Sequence, residues 1–321
     1  MLLWDKTLSW NAWFRDDTTL PRLKAAGYAI VGLTVGGGSS GRAGAIETLS
    51  AIHRMVEEQP SKYRIVRGPS DVDAALRDGQ LALELNFQGS EPLEGRIEAI
   101  EEFHSLGVRQ IGIVWNADNA LGCSATSERD TGLTSLGRSM IHELSRAGII
   151  VDGAHAGYRT TMDAMEVSER PFIFSHSNVN AIHASYKNLQ DGQIRECAAL
   201  DGVIGISGFG TYLDDPNASA DAMFRQVDYV CDLVGPAHVG LGLDFVCDPR
   251  SLWEKVRAHP HLWPGVRESR FFPPEEIPTL TGLMARAGYT RQQIAGILGQ
   301  NWKRVGDAVW SRRTSLGPEH G

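Results

Sequence analysis

The chain has 321 residues, of which 42% are apolar and 22% charged, and its formal net charge is −8 at pH 7. This composition is that of a globular protein with a substantial core. The acidic balance argues against a nucleic acid or a membrane as partner, because both require a clustered basic surface. The N-terminus lacks the basic and apolar regions of a signal peptide, and no segment has the ~18 consecutive apolar residues of a membrane span. We therefore expect a cytoplasmic protein.

Short apolar runs without helical periodicity predict eight β-strands, because buried parallel strands are apolar on both faces. In chain order they are Leu2–Leu8, Tyr28–Val35, Leu81–Phe87, Val108–Trp115, Ile149–Ala154, Phe172–Ser175, Val203–Ser207 and Val239–Leu243. Apolar residues at three- and four-residue spacing predict helices between them, among them Gly95–Leu106, Leu133–Ala147, Thr160–Glu169 and Asp221–Val234. Eight strands alternating with helices predict an α/β fold, a single (β/α)8 TIM barrel.

The whole chain, residues 1–321, is expected to form one barrel domain. It contains no internal repeat, and no second set of strands follows the eighth. Two terminal helices, at Thr290–Leu298 and Asn301–Trp310, are expected to pack outside the barrel.

Functional groups of such barrels lie at the C-terminal ends of the strands. Here the fifth strand is followed by His155, the sixth by His176, and the eighth by Asp244. Neutral imidazole suits zinc, and an aspartate offsets the charge of the ion. A single histidine at a strand end is more often a structural residue. Three such residues together make a metal site about as plausible as three structural side chains.

The ordered motifs of this chain resemble the membrane (renal) dipeptidase family. They begin with Trp115-Asn116, Gly132-Leu133-Thr134, Val151-Asp152 with His155, Phe174-Ser175-His176-Ser177 and Lys187-Asn188, and continue with His238 to Phe245 and Gly299-Gln300-Asn301-Trp302. The resemblance covers nearly the whole chain. It implies a metal-dependent hydrolase of dipeptides with two zinc ions, and a homodimer.

Carried over by position, the resemblance makes His155 and His176 ligands of one zinc ion. Asp244 would assist the other ion or handle the proton. In such an enzyme a hydroxide held between the metals attacks the amide carbonyl.

The chain departs from this pattern at three metal positions. The family's His-x-Asp pair on the first strand corresponds to Thr7 and Ser9, and its bridging glutamate corresponds to Gln88. Hydroxyl and amide groups are poor zinc ligands, and a neutral amide cannot offset the repulsion between two divalent ions. We therefore expect one zinc ion at most, and a metal-free pocket is nearly as plausible. A different alignment of the first strand would bring Asn11 towards the pocket.

Three expected substrate-binding positions also differ from the family. Lys187 stands where the family has an arginine, Phe209 where it often has a tyrosine, and Trp115 where it has a histidine. Lys187 would meet a substrate carboxylate as a point charge, without the bidentate fork of arginine. It is equally plausible as a solvated surface lysine, and Trp115 as a packing residue at the barrel rim.

The loop after the fourth strand carries Glu128, Arg129 and Asp130 in succession. With Asn116 and Asn119 it would offer charged and hydrogen-bonding groups to a small polar ligand. A self-compensating surface cluster is the equally plausible alternative.

Three functions are compatible with these residues. The first is a hydrolase of amide (C–N) bonds in a small polar substrate, with Asp244 as base and Gln88 orienting water. The second is a barrel without hydrolytic activity that binds a small molecule or serves as an accessory subunit. The third is a metal-free acid–base enzyme, whose activity would survive chelation.

Overall fold

The computed structural model describes residues 2–10 and 16–311. Asn11 lies outside the described residues. Nine parallel strands occur within them: β1 (Trp4–Ser9), β2 (Ile30–Gly36), β3 (Tyr63–Ile65), β4 (Leu81–Phe87), β5 (Val108–Gly112), β6 (Ile150–Asp152), β7 (Ile173–Ser177), β8 (Val203–Ile206) and β9 (Val239–Leu241). Eight of them form a closed ring, since β2 pairs with β4 and β9 pairs with β1. The fold is a (β/α)8 barrel, as predicted.

The ninth strand, β3, was not predicted. It pairs with the first half of β4, where Tyr63 lies opposite Leu81, and it does not take part in closing the ring. Its three residues are Tyr-Arg-Ile, and the central arginine is only partly buried. A segment this short gives no periodic pattern that could be recognised in the sequence.

Helices connect the strands around the outside of the ring. In the described part of the chain they are α1 (Thr19–Ala25), α2 (Gly41–Glu58), α3 (Pro69–Asp78), α4 (Ala99–Ser105), α5 (Ser135–Ala147), α6 (Tyr158–Glu166), α7 (Asp191–Ala199), α8 (Gly210–Leu213), α9 (Ala220–Val234), α10 (Pro249–Ala258), α11 (Ile277–Arg286), α12 (Arg291–Ala295) and α13 (Asn301–Trp310). Helix α5 shows why they start and stop where they do. The Thr134 hydroxyl accepts a hydrogen bond from Gly137 N, and Gly148 ends the helix at a φ of 73°.

The N-terminal end of the barrel is filled by large side chains from both ends of the chain. Trp4 on β1 and Trp302 on α13 are fully buried, and the indole of Trp302 donates a hydrogen bond to the Leu241 carbonyl. A side chain at Gly240 would collide with this indole, since a Cβ there would lie 2.5 Å from its ring. The terminal helix is therefore fitted closely against β9.

A buried ion pair crosses the barrel next to these tryptophans. The Lys6 ammonium on β1 lies 2.5 Å from the Glu84 carboxylate on β4, and both side chains are fully buried. The ammonium also faces the rings of Trp4 and Trp302, at 5.3 Å from each ring centre. Because desolvation disfavours both charges, it raises the pKa of Glu84 and lowers that of Lys6.

Candidate functional site

A cavity of about 360 Å³ opens at the C-terminal ends of the barrel strands. Ser9 on β1, Thr34 on β2, and Gln88 directly after β4 form part of its wall. Other residues that follow strand ends also line it, namely Trp115, Asn116, His155, Phe209 and Asp244, and Lys187 joins them from the segment between β7 and α7. Most of the predicted site residues, which are far apart in the sequence, therefore surround one space.

His155 and His176 lie side by side beneath this cavity. Their Nε2 atoms are 2.9 Å apart, and their ring centres are 4.8 Å apart. His176 is fully buried, and His155 is 7% exposed. Burial lowers the pKa of each imidazole well below its usual value, and the neighbouring Lys187 lowers both further. Both rings are therefore neutral at physiological pH.

Lys187 is buried against these histidines and is not a surface lysine. Only 4% of the residue is exposed, and its Nζ lies 3.1 Å from His176 Nε2 and 2.7 Å from the Ala154 carbonyl oxygen. Desolvation lowers its pKa to about 8, whereas the charges of Asp244 and Asp152 oppose that shift. The alternative of a solvated surface lysine is wrong, because the segment after β7 folds inward over the strand ends.

Asp244 follows β9 and lines the same cavity. Its φ of 54° lies in the left-handed region, which aspartate tolerates better than most residues but still at an energetic cost. Desolvation raises its pKa to about 6, and Lys187 and the amide of Gln88 act in the opposite direction. A carboxylate with a pKa near 6 is suited to accept a proton at neutral pH.

Gln88 and Asp5 each carry a buried polar atom without a close hydrogen-bond partner among the described residues. In Gln88 it is the amide nitrogen Nε2, and in Asp5 it is the carboxylate oxygen Oδ2. The other oxygen of Asp5 accepts hydrogen bonds from Leu243 N and Thr7 N, at 2.7 and 3.3 Å. Desolvation raises the pKa of Asp5 to about 7. Asp5 was not among the predicted site residues, because it precedes the end of its strand.

Thr7 and Ser9 reach the site with hydroxyl groups only. Thr7 is buried with its Oγ1 3.5 Å from His176 Nδ1, and Ser9 lines the cavity wall. Within residues 2–10 and 16–311, no three His, Cys, Asp or Glu side chains are arranged to hold a metal ion. The two histidines offer half of the four ligands that a tetrahedral zinc site requires. The side chains present therefore do not fit a complete metal site.

Asn116 and Trp115 belong to the cavity in different ways. The Asn116 Oδ1 lies 2.7 Å from His155 Nδ1 and orients that ring. Trp115 forms an edge contact with Trp263, at 5.3 Å between ring centres, and closes one side of the cavity. Gly38 lies so close to the Trp115 ring that a Cβ at this position would be 2.7 Å from it.

The structure does not bring three of the predicted binding residues into the cavity. The amide of Asn119 donates to Ser90 Oγ, Glu91 Oε1 and the Ile113 carbonyl, so it is used within the loop. Glu128 and Arg129 are exposed and are not among the cavity-lining residues. Their role in binding stays a prediction.

Other cavity residues come from the segment after β9. They were not predicted, because they do not follow the end of a strand. Lys255 and Leu252 on α10 line the wall, together with His259, Leu262, Trp263 and Phe271. Tyr212 borders this cavity and also a second, more open one of about 580 Å³ that contains His183. The amphipathic pattern of α10 shows which face is buried but not that it covers a site.

Comparison with known proteins supports the same assignment of fold and family. Residues 18–268 match the profile of the membrane dipeptidases, peptidase family M19. An uncharacterized dipeptidase of Schizosaccharomyces pombe is 27% identical over 271 residues, which is 81% of this chain but 61% of that protein. The chain thus spans about three fifths of the length of that relative.

Two solved structures have the same fold. An amidohydrolase from Pseudomonas aeruginosa superposes with a TM-score of 0.88 at 22% identity, over 97% of each chain. A metallopeptidase from Rhodobacter sphaeroides, liganded with a phosphinate mimic of the dipeptide L-Ala-D-Ala, gives a TM-score of 0.79 at 19% identity, over 97% of this chain and 99% of that one. Peptide hydrolysis by metallopeptidases is the activity of the matched family as a whole.

In residues 2–10 and 16–311, no helix has both the length and the apolarity to cross a membrane.

Proposed function

Since the chain belongs to the membrane dipeptidase family, we propose that it hydrolyses the amide bond of a small polar substrate and uses at most one zinc ion. One observation carries this proposal: a base, a buried cation and several hydrogen-bonding groups line a single cavity at the strand ends. Its volume of about 360 Å³ suits a ligand of dipeptide size. The positions at which the family would hold a second zinc ion carry Thr7, Ser9 and Gln88, whose hydroxyl and amide groups are poor zinc ligands.

In this reaction Asp244 acts as the general base. It removes a proton from a water molecule, whose oxygen forms a bond to the carbonyl carbon. The C–N bond then breaks, and the proton held by Asp244 passes to the leaving amine. The amide of Gln88 lies near Asp244 and can hold the water by a hydrogen bond. Trp115 and Phe209 provide the apolar walls that exclude other water from the cavity.

This function is tested by measuring the release of amine from a panel of substrates. The panel contains dipeptides, including those with a C-terminal D-residue, and N-acyl amino acids. We expect Asp244→Asn to lower kcat/KM by about 10²- to 10⁴-fold, because the amide cannot accept the proton. Glu58→Gln is the control, since Glu58 is exposed at the end of α2 and lies outside the cavity. Release of amine at the same rate by wild type and Asp244→Asn would refute the assignment of the base.

A metal-free acid–base enzyme is the second candidate. It is favoured by the pKa values of Asp244 and Lys187, which are displaced to about 6 and about 8 and so bracket neutral pH. Such an enzyme would isomerise or eliminate without releasing an amine from the panel. A barrel that only binds its ligand would show saturable binding with no product of either kind.

A further inference from the structure

We propose that the ammonium of Lys187 takes the place of a metal ion in this site and supplies the positive charge there. This inference deepens the proposed function, because it concerns the cation of the same cavity. It rests on the hydrogen bonds that surround the two histidines, on the position of Lys187 Nζ, and on the set of donors available.

The protonation of His176 is determined by a hydrogen-bonded chain from β6. Ser175 Oγ donates to Asp152 Oδ2 at 2.5 Å, and Asp152 also accepts hydrogen bonds from Gln110 Nε2 and Ser175 N. Because the single proton of the Ser175 hydroxyl is donated to Asp152, the serine oxygen must accept a hydrogen bond from His176 Nδ1, which lies 2.7 Å away. The proton of His176 therefore sits on Nδ1, and the lone pair of Nε2 faces the cavity.

His155 is oriented in the same sense by Asn116. The amide oxygen Oδ1 of Asn116 lies 2.7 Å from His155 Nδ1, so this nitrogen carries the proton. Nε2 of His155 then has a free lone pair 2.9 Å from Nε2 of His176. Two lone pairs directed into one small space repel each other unless a cation lies beside them. Metal-bound histidines are held in the same state, with the outer nitrogen donating to a partner.

The cation in this space is Lys187. Its Nζ donates to His176 Nε2 at 3.1 Å and to the Ala154 carbonyl at 2.7 Å. Asp152 and Asp244 are the carboxylates whose charges act on it. An ammonium has three N–H groups, and these two contacts use two of them. The third remains for the carbonyl oxygen of a substrate, whose developing negative charge the ammonium would stabilise.

A zinc ion cannot be added without displacing this ammonium. Zinc would lie ~2.0–2.1 Å from each imidazole nitrogen, and Lys187 Nζ already occupies hydrogen-bonding distance of one of them. In a buried site the repulsion between a divalent ion and an ammonium is only weakly screened. Among the described residues no third His, Cys, Asp or Glu is arranged to complete the site, so an ion held by the two histidines would take its remaining ligands from water.

The test is a titration of metal-free protein with Co²⁺ and with Zn²⁺. Wild type, Lys187→Met and Lys255→Met are stripped with EDTA, dialysed, and followed by the visible absorption of Co²⁺ and by plasma mass spectrometry. Lys255 is the matched control, because it is a second lysine that lines the same cavity. Methionine keeps the length of the side chain and removes its charge. Lys187→Ala provides a second uncharged variant, and circular dichroism reports whether each protein is folded.

We expect wild type and Lys255→Met to bind neither ion stoichiometrically. Lys187→Met and Lys187→Ala should bind about one equivalent, at least ~10-fold more tightly than wild type. Adding His176→Ala to Lys187→Met should abolish this gain. Binding of one equivalent by wild type with the affinity of Lys187→Met would overturn the proposal, and so would a folded Lys187→Met that gains no affinity.

These outcomes are independent of whether the protein is a hydrolase. If wild type binds no metal, Lys187→Met gains it, and no amide is cleaved, then the inference stands and the proposed function fails. If wild type cleaves dipeptides and binds zinc as tightly as Lys187→Met, the proposed function stands and the inference fails. Where both hold, Lys187→Met should lower kcat by about 10²- to 10³-fold with little change in KM, because it removes a contact made in the transition state.

Discussion

The buried pair of Lys6 and Glu84 allows a quantitative test of the barrel interior. Glu84→Gln removes the carboxylate but keeps the shape, and it leaves the Lys6 ammonium fully buried without its anionic partner. Breaking such a pair costs about 3–5 kcal/mol, whereas replacing both partners by apolar residues is often neutral or stabilising. The faces of Trp4 and Trp302 compensate in part, since each can contribute about 0.5–2 kcal/mol to a cation held over it. We therefore expect a loss near 3 kcal/mol for Glu84→Gln, and at most a small loss for Lys6→Met/Glu84→Leu.

Thermal and urea unfolding, followed by circular dichroism, measure this difference. For 321 residues the entropy of unfolding is about 0.7 kcal/mol/K, so 3 kcal/mol lowers Tm by about 4–5 °C. Lys6→Met alone should also be destabilising, because it leaves the carboxylate unpaired. A loss below about 1 kcal/mol for Glu84→Gln would refute the reasoning. It would mean that the proton of Lys6 has passed to Glu84 and that the pair is neutral in the folded protein.

Three further changes have outcomes that the structure predicts. Folding raises the pKa of Asp5 from 3.8 to about 7, so the folded state binds the proton of this carboxyl more tightly than the unfolded state does. The free energy of unfolding therefore falls as the pH rises from about 4 to 7. Asp5→Asn keeps the acceptor for Leu243 N and should be more stable than wild type at pH 8, by up to about 4 kcal/mol in urea unfolding, with no gain near pH 4. If Asp244 is the base, kcat/KM should fall about tenfold per pH unit below about 6, and a profile flat to pH 5 would contradict this role. Gly38→Ala should weaken ligand binding and lower Tm, because φ is 57° at this position and the new Cβ would meet the Trp115 ring at 2.7 Å.

The sequence was sufficient to predict the barrel, because a parallel strand buried on both faces is a continuous apolar run bounded by polar residues. The predicted run Leu81–Phe87 coincides with β4, and the other ring strands overlap their predicted segments. The predicted run Val108–Trp115 extended too far, since β5 ends at Gly112. Its last residues are as apolar as the strand itself.

The candidate site was predictable only where strand ends determine position. Gln88 comes directly after β4, and His155 and Asp244 lie within a few residues of the ends of β6 and β9, so all three reach the cavity. Lys187 lies in an irregular segment between β7 and α7, so its burial depends on how that segment folds back. Asn119 has the same side chain as Asn116, but it points into the loop that it stabilises. Secondary-structure propensities and the periodicity of apolar residues do not show whether an asparagine points into the cavity or into its own loop.

The hydrogen bonds of Asp152 connect the barrel interior with the site. This carboxylate accepts from Ser175, which positions His176, and its charge also raises the pKa of both Lys6 and Lys187. One buried anion thus helps to keep two buried lysines charged, one on each side of it. Glu84 acts more strongly than Asp152 on Lys6, and Asp244 more strongly on Lys187, and all three oppose the desolvation that disfavours a buried ammonium. The cation beneath the cavity therefore depends in part on a residue that does not line the cavity, and substitutions at Asp152 should affect the site and the core together.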